Sequence, residues 1–238
     1  MKQIIDSYEK LPLGLYLEIL KINDDPGMDD LSRQCAIISI LTGLKESDVL
    51  QLPLSDYAAC AACLSFLSVD VPQPRRSIGK SITIGNRKYT LAQNPAKITT
   101  AQFVDFRTYA GTWKDGIRPV AELLSSLMVP EGKRYGEGYE IEDVQTDIRE
   151  NMDTITAFAL CAFFLTSWRR YLKASLFSLI GPLKRLKRKG KVTEAEALMT
   201  QWKTILTDLQ QNGLGPITSW LLPHVRILRG TLSGTWDA

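Results

Sequence analysis

Helix start and stop signals recur along this chain and constrain its fold more than any other feature of the sequence. Asp29 or Asp30 can cap the backbone N–H groups at the start of a helix, and Gly43 is placed to end it. Between these signals, four apolar residues fall at helical spacing and predict one buried stripe: Leu31, Cys35, Ile38 and Leu41. Similar patterns predict helices over residues 11–22, 55–67 and 117–128, and a helix pair or one long helix over 158–180. The helix over 55–67 is rich in Ala and Cys, so we expect it to pack closely against its neighbours.

Two capping boxes predict further helix starts. Thr99 and Gln102 have the spacing of a capping box, which opens a helix carrying Phe103, Phe106 and Tyr109. The second box, Thr193–Glu196, opens a helix with six apolar residues at helical spacing: Leu198, Met199, Trp202, Ile205, Leu206 and Leu209.

One stretch of the chain has the period of a strand instead. Residues 81–84 and 87–91 alternate on either side of Gly85-Asn86, a two-residue turn signal that predicts a β-hairpin. Helical periodicity then returns, and we expect Val129-Pro130 to end the helix over 117–128. The predicted fold class is mainly α, a multi-helix bundle with a small inserted β-hairpin near residues 78–92.

Charge divides the chain unevenly. Residues 131–153 hold eight acidic and three basic residues, whereas 154–193 hold nine basic residues and no acidic one. At 238 residues and 45% apolar composition, the chain can bury a core as one large or two small domains. We therefore predict a helical domain over 1–165, including the hairpin, and a basic helical C-terminal region over 166–238. The longest apolar run, 154–165, is too short to span a bilayer, and the charged first thirty residues predict no signal peptide.

The stretch from Ala36 to Tyr57 has the outline of a helix-turn-helix, which raises the question of DNA binding. A helix that reads DNA needs side chains that reach base edges, with basic residues nearby for the phosphates. The short helix after the turn instead begins with Glu46 and Asp48, whose carboxylates suit a helix N-terminus and repel phosphate. We interpret the stretch as a corner inside the protein.

The same stretch carries a resemblance to a known family. The order of elements runs as follows: I-L-T-G-L-x-x-x-x-V-L-x-L-P-L-x-x-Y (40–57), an apolar helix ending near Leu67, a hairpin with Lys88-Tyr89, Ile98–Asp105, and Met128-Val-Pro130 before Tyr135. This order resembles the tail-assembly proteins of tailed bacteriophages over about residues 5–165. These are chaperone-like proteins, usually encoded near the tape-measure gene. The resemblance implies a non-enzymatic virion morphogenesis protein in the host cell cytoplasm, with tail proteins, the tape-measure protein first, as partners. Homo-oligomerisation is left open, and no catalytic residue is carried over.

The sequence offers little support for an enzyme or a cofactor site. It has no P-loop, no G-x-S-x-G and no H-E-x-x-H motif, so we predict no enzyme, no metal and no cofactor. Cys60 and Cys63 form a single C-x-x-C, which fits buried thiols in a reducing compartment better than zinc or redox chemistry. His224 is alone in a weakly structured tail and fits a surface histidine better than a general base. Three carboxylates at helical spacing, Asp143, Asp147 and Glu150, fit a solvated face better than a metal site.

The basic run over 183–191 leaves three interpretations open. It carries six basic residues, which we predict to be exposed: Lys184, Arg185, Lys187, Arg188, Lys189 and Lys191. The run fits a solvated connection after a Gly181-Pro182 helix break, or a contact for phosphates or an acidic protein partner. A membrane-surface role is the third, because neighbouring leucines give the region some amphipathic character. The alternative function is therefore a nucleic-acid-binding accessory protein that uses residues 184–191.

Overall fold

The computed structural model describes residues 4–72, 78–112, 119–178 and 180–191, and single positions between 193 and 207. These residues form a mainly helical fold with one small antiparallel sheet, which confirms the predicted fold class. The helices are α1 Leu13–Asn23, α2 Asp30–Thr42, α3 Glu46–Val49, α4 Leu54–Ala62, α5 Thr100–Thr112, α6 Val120–Leu127, α7 Ile141–Asn151, α8 Thr154–Ser178 and α9 Ile180–Arg188. The strands are β1 Ser81–Ile84, β2 Arg87–Leu91 and β3 Met128–Pro130, and two 3₁₀ segments cover Cys63–Ser68 and Pro95–Lys97.

The boundaries of α2 follow from its sequence signals. The Asp29 side chain accepts hydrogen bonds from the backbone N–H groups of Leu31 and Ser32 at 3.0 Å, and Gly43 ends the helix with a φ of 69°. The predicted stripe is correct for Cys35, Ile38 and Leu41, which are buried, and wrong for Leu31, which is exposed. Leu31 belongs to neither of the apolar clusters that bury the later turns of α2.

The helix predicted over 55–67 is shorter and less buried than expected. It begins at Leu54, ends at Ala62 and continues as the 3₁₀ segment Cys63–Ser68. Cys60 is the one buried residue among those of α4, and Ala58 and Ala59 are exposed. The prediction of close packing is correct for one side of α4, where Cys60 and Ala61 pack against the cluster shared with α2 and α3. It is wrong for the other side, where Ala58 and Ala59 face solvent.

The sheet has three strands where the sequence predicts two. The hairpin is confirmed, with Ile84 paired to Arg87 and a positive φ of 55° at Gly85 in the turn. β3 pairs antiparallel with β2 and gives the order β1-β2-β3. Met128 lies in β3 and not in the helix predicted over 117–128, because the three residues of this strand are too few to show a strand period. Pro130 fits this position, since a proline is tolerated in an edge strand.

Helix α7 lies close to α1. A Cβ on Gly14 of α1 would lie 2.9 Å from the backbone oxygen of Arg149 on α7, so only glycine allows this approach. Val144 and Ile148 of α7 are buried. Tyr89 of β2 is also completely buried, and its hydroxyl donates a hydrogen bond to Asp147 of α7. The sheet and α1 thus both contact α7.

The Gly181-Pro182 pair lies inside α9 rather than between helices. Residues 158–178, predicted as a helix pair or one long helix, belong to the single helix α8. α9 then starts at Ile180, which places Pro182 in its first turn, where no helical N–H group is lost. The described positions between 193 and 207 are helical, and Met199 is buried. The remaining apolar residues of that predicted helix, from Leu198 to Leu209, lie outside the described residues.

The chain forms two compact units from interleaved segments. Unit 1 comprises Met1–Leu91 and Met128–Cys161, and unit 2 comprises Ala92–Leu127 and Ala162–Ala238. Unit 1 buries an aromatic and aliphatic cluster: Tyr8, Leu11, Tyr16, Ile19, Ile37, Leu41 and Ile155. In unit 2, Phe106 stacks on Trp168 with ring centroids 5.4 Å apart. The domain boundary that we place at residue 165 stays a prediction.

Candidate protein-binding surface

The basic run forms the exposed side of α9 and the turn after it. Leu183 is buried and Leu186 is half-buried, so these two leucines form the packed side. Gly190, with a φ of 71°, follows the last turn as a stop signal. The described side chains of the run are exposed, as predicted: Lys184, Arg185, Arg188, Lys189 and Lys191. The side chain of Lys187 lies outside the described residues. Lys191 pairs with Glu194 at 2.7 Å.

A second surface, which the sequence analysis missed, consists of leucines at the helix ends of α2, α3 and α4. Their exposed fractions are large for leucine: Leu31 56%, Leu44 36%, Leu50 65% and Leu54 83%. We call these four residues the leucine surface. Single exposed apolar side chains are common on proteins, whereas a contiguous group of them is typical of an interaction site. The four leucines lie on or next to three successive helices, with Leu31 and Leu44 at opposite ends of α2.

One side-chain hydrogen bond joins α4 to α2, two of the helices that carry this surface. The Tyr57 hydroxyl on α4 donates to the side-chain oxygen of Gln34 on α2 at 3.0 Å. Leu54 lies three residues before Tyr57, and Leu31 lies three residues before Gln34. Residues at this spacing are neighbours on one face of a helix, so the bond joins the faces that carry the two leucines.

A buried cluster joins α2, α3 and α4. Cys35 and Ile38 of α2 pack with Val49 of α3 and Cys60 of α4, and Leu52 packs against this group. Because α2, α3 and α4 share a packed core, Leu31, Leu50 and Leu54 lie at the ends of packed helices, whereas Leu44 lies in the connection between α2 and α3. The stretch from Ala36 to Tyr57 thus forms parts of three helices that pack together, and the interpretation that it does not bind DNA stays a prediction.

Carboxylates accompany the leucines along the chain. Asp30 is next to Leu31, and Glu46 lies one helical turn before Leu50, whose backbone N–H donates to the Glu46 carbonyl oxygen at 3.1 Å. Asp56 follows Leu54 by two residues, and all three carboxylates are exposed. Hydrogen bonds from the side chain and then the backbone of Ser32 lower the pKa of the nearby Asp29. The leucine surface therefore has exposed carboxylates close to its leucines in the sequence.

The cysteines have the environment of structural thiols. The prediction of buried thiols is correct for Cys60, which lies in α4, and wrong for Cys63, which begins the 3₁₀ segment and is half-buried. All four cysteines of the chain are free. Burial, and then the charges of Cys63 and Asp56, raise the pKa of the Cys60 thiol. Burial raises the pKa of Cys161 to about 12. A raised pKa disfavours the thiolate, which is the nucleophilic form.

The three carboxylates of α7 do not act as one group. Asp143 and Glu150 are exposed, whereas Asp147 accepts the Tyr89 hydrogen bond and pairs with Arg87 at 3.2 Å. Asp147 thus links α7 to the sheet. The interpretation of the three carboxylates as a solvated face is therefore wrong for Asp147. Within the part of the chain that the structure describes, no group of His, Cys, Asp and Glu side chains is placed to hold a metal ion. His224 lies outside that part.

Unit 1 also has a cleft of about 430 Å³. Apolar side chains of β1, β2 and α8 contribute to its walls, among them Ile82, Leu91, Ile155 and Leu160, with Glu9 and Asp153 at its edge. Asp153 accepts a hydrogen bond from the backbone N–H of Thr156 at 2.8 Å, which gives it a local structural role at the start of α8.

Comparison with known proteins adds no relative to these observations. No protein-family model, no curated protein and no solved structure matches the chain. None of the helices in the described ranges is long and apolar enough to cross a membrane.

Proposed function

We propose that this protein is a non-enzymatic assembly factor of a tailed bacteriophage that binds an aggregation-prone tail protein, with the tape-measure protein as the expected client. The observation that carries the proposal is the leucine surface, an exposed apolar site on a packed helical base. The resemblance of residues 5–165 to tail-assembly proteins adds the biological context, including action in the host cell cytoplasm.

The energetics of the leucine surface favour a binding role. Fully burying a leucine side chain is worth about 1.5–3 kcal/mol, so covering Leu50 and Leu54 alone can supply several kcal/mol of binding free energy. A client with an exposed apolar segment gains a comparable amount from the same contact. Such a contact keeps the client from associating with itself, which is what an assembly chaperone does.

The exposed basic side of α9 favours a second candidate function, nucleic-acid binding. At least five basic side chains point to solvent over residues 184–191, and Leu183 fixes the helix that carries them. A surface of this kind binds phosphates through charge, without sequence preference and with strong salt dependence.

One experiment separates the two functions. The chain is co-expressed with the tape-measure protein encoded beside its gene, as wild type, as Leu50→Gln/Leu54→Gln, and with the six basic residues of 184–191 changed to Gln. We expect the leucine variant to lose the client from the soluble fraction and the basic variant to retain it. All three proteins are also tested for shifting a generic DNA fragment at rising salt.

The outcomes are distinct. Loss of the client in the basic variant, together with salt-sensitive DNA binding by the wild type, would favour the nucleic-acid function. A tape-measure protein that is equally soluble with and without the wild-type chain would contradict the assembly function.

A further inference from the structure

We propose that the leucine surface binds a basic amphipathic helix of the client, with its apolar stripe on the leucines and its Lys and Arg residues facing the surrounding carboxylates. This inference rests on the proposed function in one respect, since the client supplies the helix. The class of the bound segment follows from the charge and the backbone geometry of the surface.

The charge around the leucines is strongly negative. Residues 24–56 contain seven acidic and two basic residues, a balance of −5 in a chain whose net charge is +3. One of the two bases, Arg33, is held within α2 and the turn before it: it pairs with Asp30 at 2.8 Å and donates to the Met28 carbonyl oxygen at 2.9 Å. The second base, Lys45, is exposed next to Leu44, so exposed carboxylates outnumber exposed bases along this stretch.

This charge excludes several kinds of partner. Nucleic acid and anionic lipid headgroups are repelled by it. A neutral apolar segment would cover the leucines but would also remove water from neighbouring carboxylates without replacing their hydrogen bonds, which costs free energy. Lys and Arg at the edges of the bound segment remove that cost and add attraction at long range.

The backbone of the bound segment must satisfy its own hydrogen bonds. The leucine surface is made of helices α2, α3 and α4, which offer side chains rather than the open edge of a sheet. An extended peptide laid on it would leave its N–H and C=O groups without partners where the contact excludes water. A helix makes these bonds internally and presents apolar residues as one stripe at i, i+3, i+4 and i+7.

A second copy of this chain does not supply such a helix from α9. α9 is basic and amphipathic, but Leu183 is already buried within its own chain and Leu186 is half-buried. Its exposed side therefore offers charge without an apolar stripe. The segment that fits the leucine surface carries both.

Three labelled peptides of 14 residues test the proposal on the full-length protein by fluorescence anisotropy. The first has leucines at i, i+3, i+4 and i+7 with lysines elsewhere, and the second has glutamate in place of lysine. The third has the composition of the first, with its leucines moved to i, i+2, i+4 and i+6. We expect the first peptide to bind at least about tenfold more tightly than the other two, and more weakly as salt rises.

Variants of the protein then test whether the first peptide binds at the leucine surface. Leu50→Gln/Leu54→Gln should weaken binding of the first peptide at least about tenfold, because two leucines lose their apolar contact. Glu46→Gln/Asp48→Asn/Asp56→Asn should weaken it less and reduce its salt dependence. Val104→Gln is the matched control, since Val104 is an apolar residue on α5 with 53% exposure, and it should leave binding unchanged.

The results separate this inference from the proposed function. Equal binding of the lysine and glutamate peptides, no binding of either, or full binding by the leucine variant would overturn the helix proposal. Equal capture of the client by the wild type, the leucine variant and the carboxylate variant would also overturn the helix proposal. That result would leave the assembly function in place. Peptide binding as expected, with no client captured, would contradict the assembly function alone.

Discussion

Replacing Tyr89 by Phe tests the contact between the sheet and α7, which no sequence pattern indicated. The Tyr89 ring is completely buried, and its hydroxyl donates to Asp147, whose side chain is 20% exposed. A hydrogen bond to a charged group is worth about 1.5–3 kcal/mol. Asp147 keeps Arg87 and some solvent as partners in the variant, so we expect the lower end, a loss of about 1.5 kcal/mol in the free energy of unfolding at pH 7.

The pH dependence of this loss gives a second measure of the same contact. Burial, and then the hydrogen bond to Asp147, raise the pKa of Tyr89 from its ordinary 10.0 to about 12. A group whose pKa is higher in the folded protein contributes stability that is complete below its unfolded pKa and is lost as pH rises through its folded pKa. The difference between wild type and Tyr89→Phe should therefore be constant from about pH 6 to 9 and shrink above about pH 10.

Urea unfolding followed by circular dichroism measures both effects. Tyr57→Phe is the control, because its hydroxyl bonds Gln34 at an exposed site where water replaces the lost partner, and it should change stability by no more than about 0.5 kcal/mol. A loss below about 0.5 kcal/mol for Tyr89→Phe at pH 7, or a difference that stays constant up to pH 11, would refute the reasoning.

Three further predictions concern single features. Gly14→Ala should destabilise the protein by about 1–2 kcal/mol in thermal unfolding, because overpacking against the Arg149 backbone outweighs the gain in helix propensity. Glu18→Ala, at an exposed position of α1, is the control and should change stability by no more than about 0.5 kcal/mol. Thr99→Ala should cost about 1 kcal/mol and Thr99→Ser only a few tenths, since the Thr99 hydroxyl accepts from the Gln102 N–H at 3.2 Å; an equal loss in both would contradict a capping role. Mass spectrometry after purification under reducing conditions should find four free thiols and no zinc, and one bound zinc per chain would contradict our interpretation of the C-x-x-C.

Local signals account for the parts of the fold that the sequence predicted. The cap at Asp29, the stop at Gly43 and the capping box of Thr99 each depend on residues within four positions of one another, and the structure has the bonds that those residues can make. The hairpin around Gly85 is equally local. Such features can be predicted because their geometry does not depend on the rest of the chain.

The features that the sequence did not predict depend on distant partners. β3 is a strand because β2 lies beside it, and its three residues carry no period of their own. Asp147 matches two other carboxylates in spacing, yet it differs from them because Tyr89, 58 residues away, donates to it. Burial along α4 was overestimated for the same reason: Ala and Cys are compatible with close packing but do not require a neighbour.

The exposed leucines can be separated from residues that the fold needs. Leu31, Leu50 and Leu54 lie at helix ends whose core positions are filled by other residues, such as Val49 and Cys60. Changing Leu50 and Leu54 to Gln removes almost no buried contact, so stability should stay within about 0.5 kcal/mol per site, in contrast to the 2–5 kcal/mol typical of a truncated core leucine. We expect these leucines to serve the binding proposed above rather than the stability of the isolated protein. Thermal unfolding of the leucine variant therefore decides whether its loss of client reflects the surface itself: an unchanged midpoint assigns the loss to the surface, and a large drop assigns it to the fold.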